Sequence, residues 1–191
     1  MVTVPVHQEM MTADEFLAQP EKRDASIREL VCGEVIVSNP TMVHNVVSMN
    51  LIRALERWIE AGNQRGRLCI PLDVGLDRHN VFVPDLSWYS TVRSPDPHAP
   101  PPYPRPDLAI EIRSPSTWRY DIGAKKSTYK RHGLPELWLV DTAAEELLVF
   151  RRSTPATRDF DVALELACGE AVESRLVQGF SLPLDELFDL A

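Results

Sequence analysis

Cysteine is scarce in this chain: there are three among 191 residues. Cys32, Cys69 and Cys168 are odd in number, lie far apart and form no CxxC pair, which excludes a disulfide framework and a zinc ribbon. Free thiols are expected. No apolar run approaches the roughly 20 residues that cross a bilayer. The stretch from Met1 to Met11 has neither the basic nor the apolar region of a secretory signal, so a cytoplasmic protein without a membrane partner is expected. Positive charge is short as well, with 20 Lys and Arg against 28 Asp and Glu for a formal charge of −8. That balance argues against a protein that coats nucleic acid through a broad basic field. It still allows a local basic groove, and it allows an acidic metal site, because clustered carboxylates tolerate one another best beside a cation. No internal repeat is present.

What is there fits one globular domain over residues 1–191, with 44% hydrophobic and 25% charged residues. Thr12 and Glu15 have capping-box spacing and predict a short helix over Thr12–Gln19, ended by Pro20. Ile27–Val31 and Glu34–Ser38 read as a hairpin about Cys32-Gly33. From His44 to Ala61, Val47, Leu51, Ala54, Leu55 and Trp58 recur at three and four, predicting an amphipathic helix stopped by Gly62. Strands are expected over Arg67–Val74, Val81–Ser90 and Asp107–Arg113. Ser94–Pro106 holds seven prolines in thirteen positions, an extended and exposed insertion that either gates a site or meets a partner. A helix over Thr117–His132 and a buried strand over Glu136–Asp141 follow, then antiparallel strands near Leu147–Arg151 and Val162–Cys168 and a last turn at Leu184–Leu190. The fold class is α/β (α+β), a mixed sheet flanked by helices with an N-terminal hairpin and a C-terminal β extension.

Acidic residues on strands are informative, because a charge there is costly unless it faces a metal, a partner or a cleft. Along Asp107–Arg113 the period of two puts Leu108, Ile110 and Ile112 on one face and Asp107, Ala109, Glu111 and Arg113 on the other. Asp107 and Glu111 are about 13 Å apart along a strand, too far to share one cation. Asp107 suits a strand-start cap instead. Asp85, on the preceding strand, can lie opposite Glu111, which makes Asp85 with Glu111 the better metal pair. A two-residue turn pairs Val31 with Glu34 and Glu29 with Ile36, so both glutamates share a face and either can complete a metal site. Ile122, Lys125, Lys126 and Tyr129 recur at three and four, and Lys125 is the lysine favoured to point inward. Between Arg119 and Arg131, Arg119, Lys125, Lys126, Lys130 and Arg131 face only Asp121, the best phosphate-binding surface of the chain. His44 stands at a helix start as either a cleft or a structural histidine. Trp118, Tyr120 and Trp138 read as core or rim.

An ordered set of fragments carries a family resemblance. Pro84-Asp85-Leu86, Pro106-Asp107-Leu108-Ala109-Ile110-Glu111-Ile112 with Ser114-Pro115-Ser116-Thr117, and Asp121-Ile122-Gly123-Ala124-Lys125 with Tyr129 occur in order. Gly133-Leu134-Pro135-Glu136 and Trp138-Leu139-Val140-Asp141 follow, and Glu29-Leu30-Val31-Cys32-Gly33-Glu34 and His44 precede. Together they resemble the Uma-type putative restriction endonuclease family of the PD-(D/E)xK nuclease superfamily. The resemblance implies a restriction-endonuclease-like fold and a metal-dependent endonuclease acting on nucleic acid, DNA in the first place, as a homodimer. It implies Asp85 and Glu111 as ligands of Mg²⁺, or Mn²⁺ in its stead, with Glu29 or Glu34 nearby, and Asp85, Glu111 and Lys125 as catalytic residues. The superfamily lysine two residues after the glutamate is Arg113 here, a poor proton acceptor. The resemblance supplies the lysine from the following helix, at Lys125. Arg113, with Arg119, Lys126 and Lys130, is then a candidate for holding nucleic acid. The alternative is a catalytically silent module that keeps the fold and binds nucleic acid or protein.

Overall fold

The computed structural model describes residues 10–20 and 26–191. The expectation drawn from Met1–Met11 lies, for residues 1–9, outside the described residues. Among the described residues no helix is long and apolar enough to cross a membrane.

The chain opens with α1 (Ala13–Leu17), nucleated by the predicted capping box: Thr12 Oγ1 accepts the Glu15 N–H, and Glu15 Oε2 accepts the Thr12 N–H at 2.8 Å. The hairpin of β1 (Ile27–Val31) and β2 (Glu34–Ser38) has the expected register, with Val31 opposite Glu34 and Glu29 opposite Ile36. Its turn needs positive φ at both central residues, and Cys32 and Gly33 adopt 52° and 78°. Glycine is required at the second position, since a Cβ there would lie 2.5 Å from that of Met10. Next comes α2 (Met42–Glu60), capped by Thr41, whose hydroxyl accepts the His44 N–H. Val47, Leu51, Ala54 and Leu55 form its buried stripe.

The expected strand Arg67–Val74 is two strands, β3 (Arg67–Cys69) and β4 (Val74–Asp77), and Val81–Ser90 divides into β5 (Asn80–Phe82) and β6 (Leu86–Tyr89). The second division has a physical cause. Pro84 has no N–H to give to a ladder, so the chain leaves one sheet at Phe82 and enters another at Leu86. Asp85 sits at that crossing. The Pro-rich stretch is more engaged than expected: Tyr103 bridges to Val74, its N–H donates to Asp73 and its carbonyl accepts from Gly75. A non-proline residue thus supplies the ladder bonds its neighbours cannot.

Then follow β7 (Leu108–Ile112), a helical segment made of α3 (Trp118–Tyr120), a π-helical turn (Asp121–Lys125) and α4 (Lys126–Arg131), and the strands β8 (Glu136–Asp141), β9 (Glu146–Arg151) and β10 (Val162–Leu166). The chain ends with β11 (Ala171–Glu173), β12 (Ser181–Pro183) and α5 (Leu184–Leu187). The six-stranded sheet runs β10-β9-β8-β7-β6-β3, with β7 and β8 parallel, and a four-stranded sheet runs β2-β1-β5-β4. One face of the large sheet packs Leu108, Ile110, Trp138 and Val140 against the α2 stripe. The other packs Ala109, Leu137 and Leu139 against Tyr129, Phe82 and Val31. β7 is therefore buried on both faces, and Glu111 looks into a second core, not into open solvent. The architecture is the expected mixed one. The three cysteines are free, two of them exposed.

Candidate active site

Where the C-terminal part of β7 passes the crossing at Asp85, polar side chains from the hairpin, α2, the crossing, β7 and the segment that follows it meet around a cavity of about 20 Å³. That is room for about one water. Glu111 is 3% exposed and Lys125 2%. Charges this deep persist only when paired, and each has its partners. Lys125 Nζ lies 2.8 Å from Glu111 Oε2, 2.8 Å from Glu29 Oε1 and 3.1 Å from Asp121 Oδ1. The other Glu111 oxygen accepts the Tyr129 hydroxyl at 2.7 Å. Glu29 Oε1 also takes the Val83 N–H, the last amide before Pro84. Asp85 completes the set: Oδ2 accepts the Ile112 N–H at 2.7 Å, and Oδ1 lies 3.0 Å from His44 Nε2.

The backbone explains these placements. The β6–β7 register pairs Leu86 with Ile110, and its continuation sets Asp85 beside Glu111. In the π-helical turn the Lys126 N–H reaches back to the Asp121 carbonyl, five residues away. Such widened turns are rare and occur often at functional sites. It sets Asp121, Lys125 and Tyr129 facing inward while Ile122 stays exposed, which corrects the expectation that Ile122 shares the inward stripe.

Four carboxylates crowd one ammonium, and their protonation reflects it. Burial pushes the Glu111 carboxyl well above the usual range; Lys125 opposes this, and Asp121, Glu29 and Asp85 add to it. Burial likewise raises Asp121 to about 6 against the pull of Lys125. Burial works to discharge Lys125, but Glu111, Glu29 and Asp121 outweigh it and hold its pKa well above normal. At His44 burial works downward, yet the hydrogen bond and charge of Asp85 prevail and raise it.

This donor set fits a hard divalent cation. Among the described residues no three His, Cys, Asp or Glu side chains are arranged as a ready cage, because Lys125 stands at the centre of three carboxylates. Mg²⁺ does not need one: it is commonly held by one or two carboxylates with waters and substrate oxygens completing its shell. Asp85 and Glu111 are such a pair, set beside one another by the β6–β7 register. Ser114 Oγ and His44 Nδ1 line the same region as buried polar atoms with no hydrogen-bond partner among the described residues.

The remaining expected site residues lie elsewhere. Glu34 shares a face with Glu29 but is exposed, accepts the Tyr120 hydroxyl at 3.3 Å and does not line the cavity. Asp107 accepts the Ser90 N–H and pairs with Arg93 at 2.6 Å at the far end of β7. Arg113 Nη1 holds both oxygens of Asp141 at 2.8 and 2.9 Å. Arg119 lies over Tyr120, Lys126 over Phe150, and Lys130 pairs with Asp159. None of these four basic residues lines the cavity, and neither does the Pro-rich stretch. Trp138 is wholly buried, while Trp118 and Tyr120 pack at the margin of the second core. Sequence reasoning missed Asp121 and Tyr129 as members of the cluster; their spacing of four to either side of Lys125 was the available signal.

The mixed six-stranded sheet, with its parallel pair β7-β8 at the centre and helices packed on it, is a restriction-endonuclease-like fold. The Uma2 family profile, described as putative restriction endonuclease, matches residues 13–185, and the chain belongs to that family. The crystal structure of a putative nuclease belonging to DUF820 from Anabaena variabilis ATCC 29413 is similar with a TM-score of 0.76 and 22% identity, over 93% of this chain and 97% of that one. At that identity the likeness concerns the fold. No curated protein matches the chain.

Proposed function

We propose that the chain is a metal-dependent endonuclease that hydrolyses phosphodiester bonds of nucleic acid, and of DNA in the first place. One observation carries the reading: Asp85, Glu111 and Lys125 converge on a single buried cavity in a chain of a nuclease family. Asp85 and Glu111 would hold Mg²⁺, or Mn²⁺ in its stead. When bound, the ion supplies a Lewis acid for the phosphodiester and a water of lowered pKa.

The chain's own residues do the rest. His44 and the Ile112 N–H fix both oxygens of Asp85, and Tyr129 and Lys125 fix both of Glu111. Lys125, held charged by its neighbours, puts a fixed positive charge beside the phosphate, where negative charge develops during attack. Arg119, Lys126 and Lys130 are the exposed or half-exposed cations offered to the backbone, with Arg113, whose Nη1 alone makes both contacts to Asp141. Cutting of both strands suits a homodimer, a state that light scattering reads directly.

The second reading, a silent binding module, is favoured by Lys125 being shared among three carboxylates in so small a cavity. One experiment separates the two. Single-stranded, duplex and supercoiled DNA are incubated with Mg²⁺ or Mn²⁺ and wild type, Glu111→Ala or Lys125→Ala. Metal-dependent cutting lost in both variants supports the nuclease. No cutting and no metal binding by wild type leaves the silent module.

A further inference from the structure

A second cavity, of about 410 Å³, opens at the opposite end of the same strands. Asp107, just before β7, and Glu136, the first residue of β8, both line it, and these strands are parallel, so it sits at their N-terminal end. Glu111 is four residues further along, about 13 Å away, and the two cavities share no residue. Its volume is within the range of small-molecule sites.

Its lining is unusual for a chain of charge −8. Arg93, Arg105, Arg151, Arg152 and Arg175 all contribute. Both carboxylates are largely occupied: Asp107 by Arg93 and the Ser90 N–H, and Glu136 by Trp138 Nε1, Ser174 Oγ and, at 3.4 Å, Arg151. Arg105, Arg152 and Arg175 have no carboxylate within 4.0 Å among the described residues. Arg152 is fixed instead by the backbone carbonyls of Leu134, Thr157 and Lys130. A guanidinium held by neutral acceptors keeps its charge for a ligand while losing its freedom to move. Arg151 Nε is buried with no hydrogen-bond partner among the described residues, a donor that lacks its acceptor. Crowding shows at Arg105, whose pKa is pushed down to about 10 by burial and then by Arg93. Pro135, Pro155 and Leu176 add apolar wall beside the charges.

We propose that this cavity is an anion site, separate from the candidate active site, that takes the phosphates of a small ligand of nucleotide size or of a nucleic-acid strand end. The guanidiniums supply paired donors for phosphate oxygens, and the apolar wall accommodates a base or sugar. The site does not depend on the chain being an active nuclease.

Calorimetric titration of the full chain tests it, with pyrophosphate, ATP and a short DNA strand with or without a terminal phosphate, in metal-free buffer. Arg105→Ala and Arg175→Glu are compared with Arg53→Ala, which removes an exposed charge from α2, outside both cavities. Arg175 is exposed and its side chain makes no hydrogen bond or ion pair among the described residues, so its variant retains the fold, as circular dichroism checks. Affinity for pyrophosphate or ATP is expected to fall about ten-fold or more in both cavity variants and to change little in Arg53→Ala. The same loss for the phosphorylated strand alone assigns the phosphate to strand ends. Absence of binding by all probes, or equal losses in all three variants, overturns the proposal.

Discussion

Lys125 Nζ meets Glu111 Oε2 at 2.8 Å across fourteen residues of sequence, helix to strand, with both side chains shielded from solvent. The lysine thus enters the acidic pair from the helix that covers β7, and the strand position two residues beyond Glu111 is left to Arg113, which turns to Asp141. The helix brings Asp121 and Tyr129 with Lys125, so one element delivers a cation, an acid and a hydroxyl to a carboxylate it does not carry.

Replacing Lys125 by Met leaves Glu29, Glu111 and Asp121 buried without their common partner. Removing one member of a buried ion pair costs about 3–5 kcal/mol, and that loss is expected in urea unfolding at neutral pH. Without the ammonium the Glu111 and Asp121 pKa values rise further above their unfolded values, so the native state gains protons and the deficit shrinks as pH falls toward the ordinary carboxylate range. Mg²⁺ or Mn²⁺ is expected to raise the melting temperature of Lys125→Met more than that of wild type. A variant as stable as wild type at neutral pH contradicts the pairing.

Tyr129→Phe is a finer probe. It removes one hydroxyl, the donor to Glu111 Oε1, and leaves the ring in edge contact with Phe82 at 5.1 Å between centroids. An unsatisfied buried carboxylate oxygen costs about 1–3 kcal/mol. Losing a donor to the charged form also raises the Glu111 pKa, so the acid limb of any cleavage profile shifts to higher pH. A pH–rate profile identical to that of wild type refutes this positioning role.

Much of this arrangement was legible in the sequence, for local reasons. A two-residue turn fixes hairpin register, so the pairing of Glu29 with Ile36 followed from Cys32-Gly33 alone. The stripe of α2 and the alternation along β7 follow from helix and strand periods. Three features were not legible. Val81–Ser90 reads as one apolar strand, and only packing reveals that Pro84 moves the chain between sheets. The exposure of Ile122, three residues before the inward Lys125, depends on a widened helical turn that the expected period of three and four does not show. Glu29 and Glu34 share a face, and the choice between them is made by how the hairpin docks against the helix, a tertiary matter.

Asp77, on β4 of the same four-stranded sheet, ties that sheet to the end of α4. Its Oδ1 accepts the His79 N–H and Asn80 Nδ2, and its Oδ2 lies 2.8 Å from His132 at the end of α4. Burial works upward on its pKa, but these donors prevail and lower it to about 2 from 3.8. A depressed acid stabilises the fold fully above its unfolded pKa, and that stabilisation is lost as pH falls from about 4 toward 2. Asp77→Ala is expected to cost about 1–3 kcal/mol at neutral pH. The gap from wild type should close across that acid window in urea titrations; a gap independent of pH rejects the assignment.

The proposed nucleic-acid contacts make a quantitative demand on salt dependence. Each phosphate neutralised contributes about 0.9 to the slope of log affinity against log salt on duplex DNA. Arg119 and Lys130 are exposed, and what they otherwise engage is weak: the ring and, at 3.0 Å, the hydroxyl of neighbouring Tyr120, and a solvent-facing pair with Asp159 at 3.2 Å. Their removal should therefore leave the melting temperature almost unchanged while flattening the slope by about 0.9 for each phosphate no longer neutralised. Arg113 differs because Asp141 already holds its Nη1, so Arg113→Ala should both flatten the slope and cost up to about 1 kcal/mol of stability from a partly exposed pair. Fluorescence anisotropy with a catalytically disabled Glu111→Ala background, across a salt series, reads the slopes without cleavage. Slopes unchanged in all three variants would place the bound strand on another face of the protein.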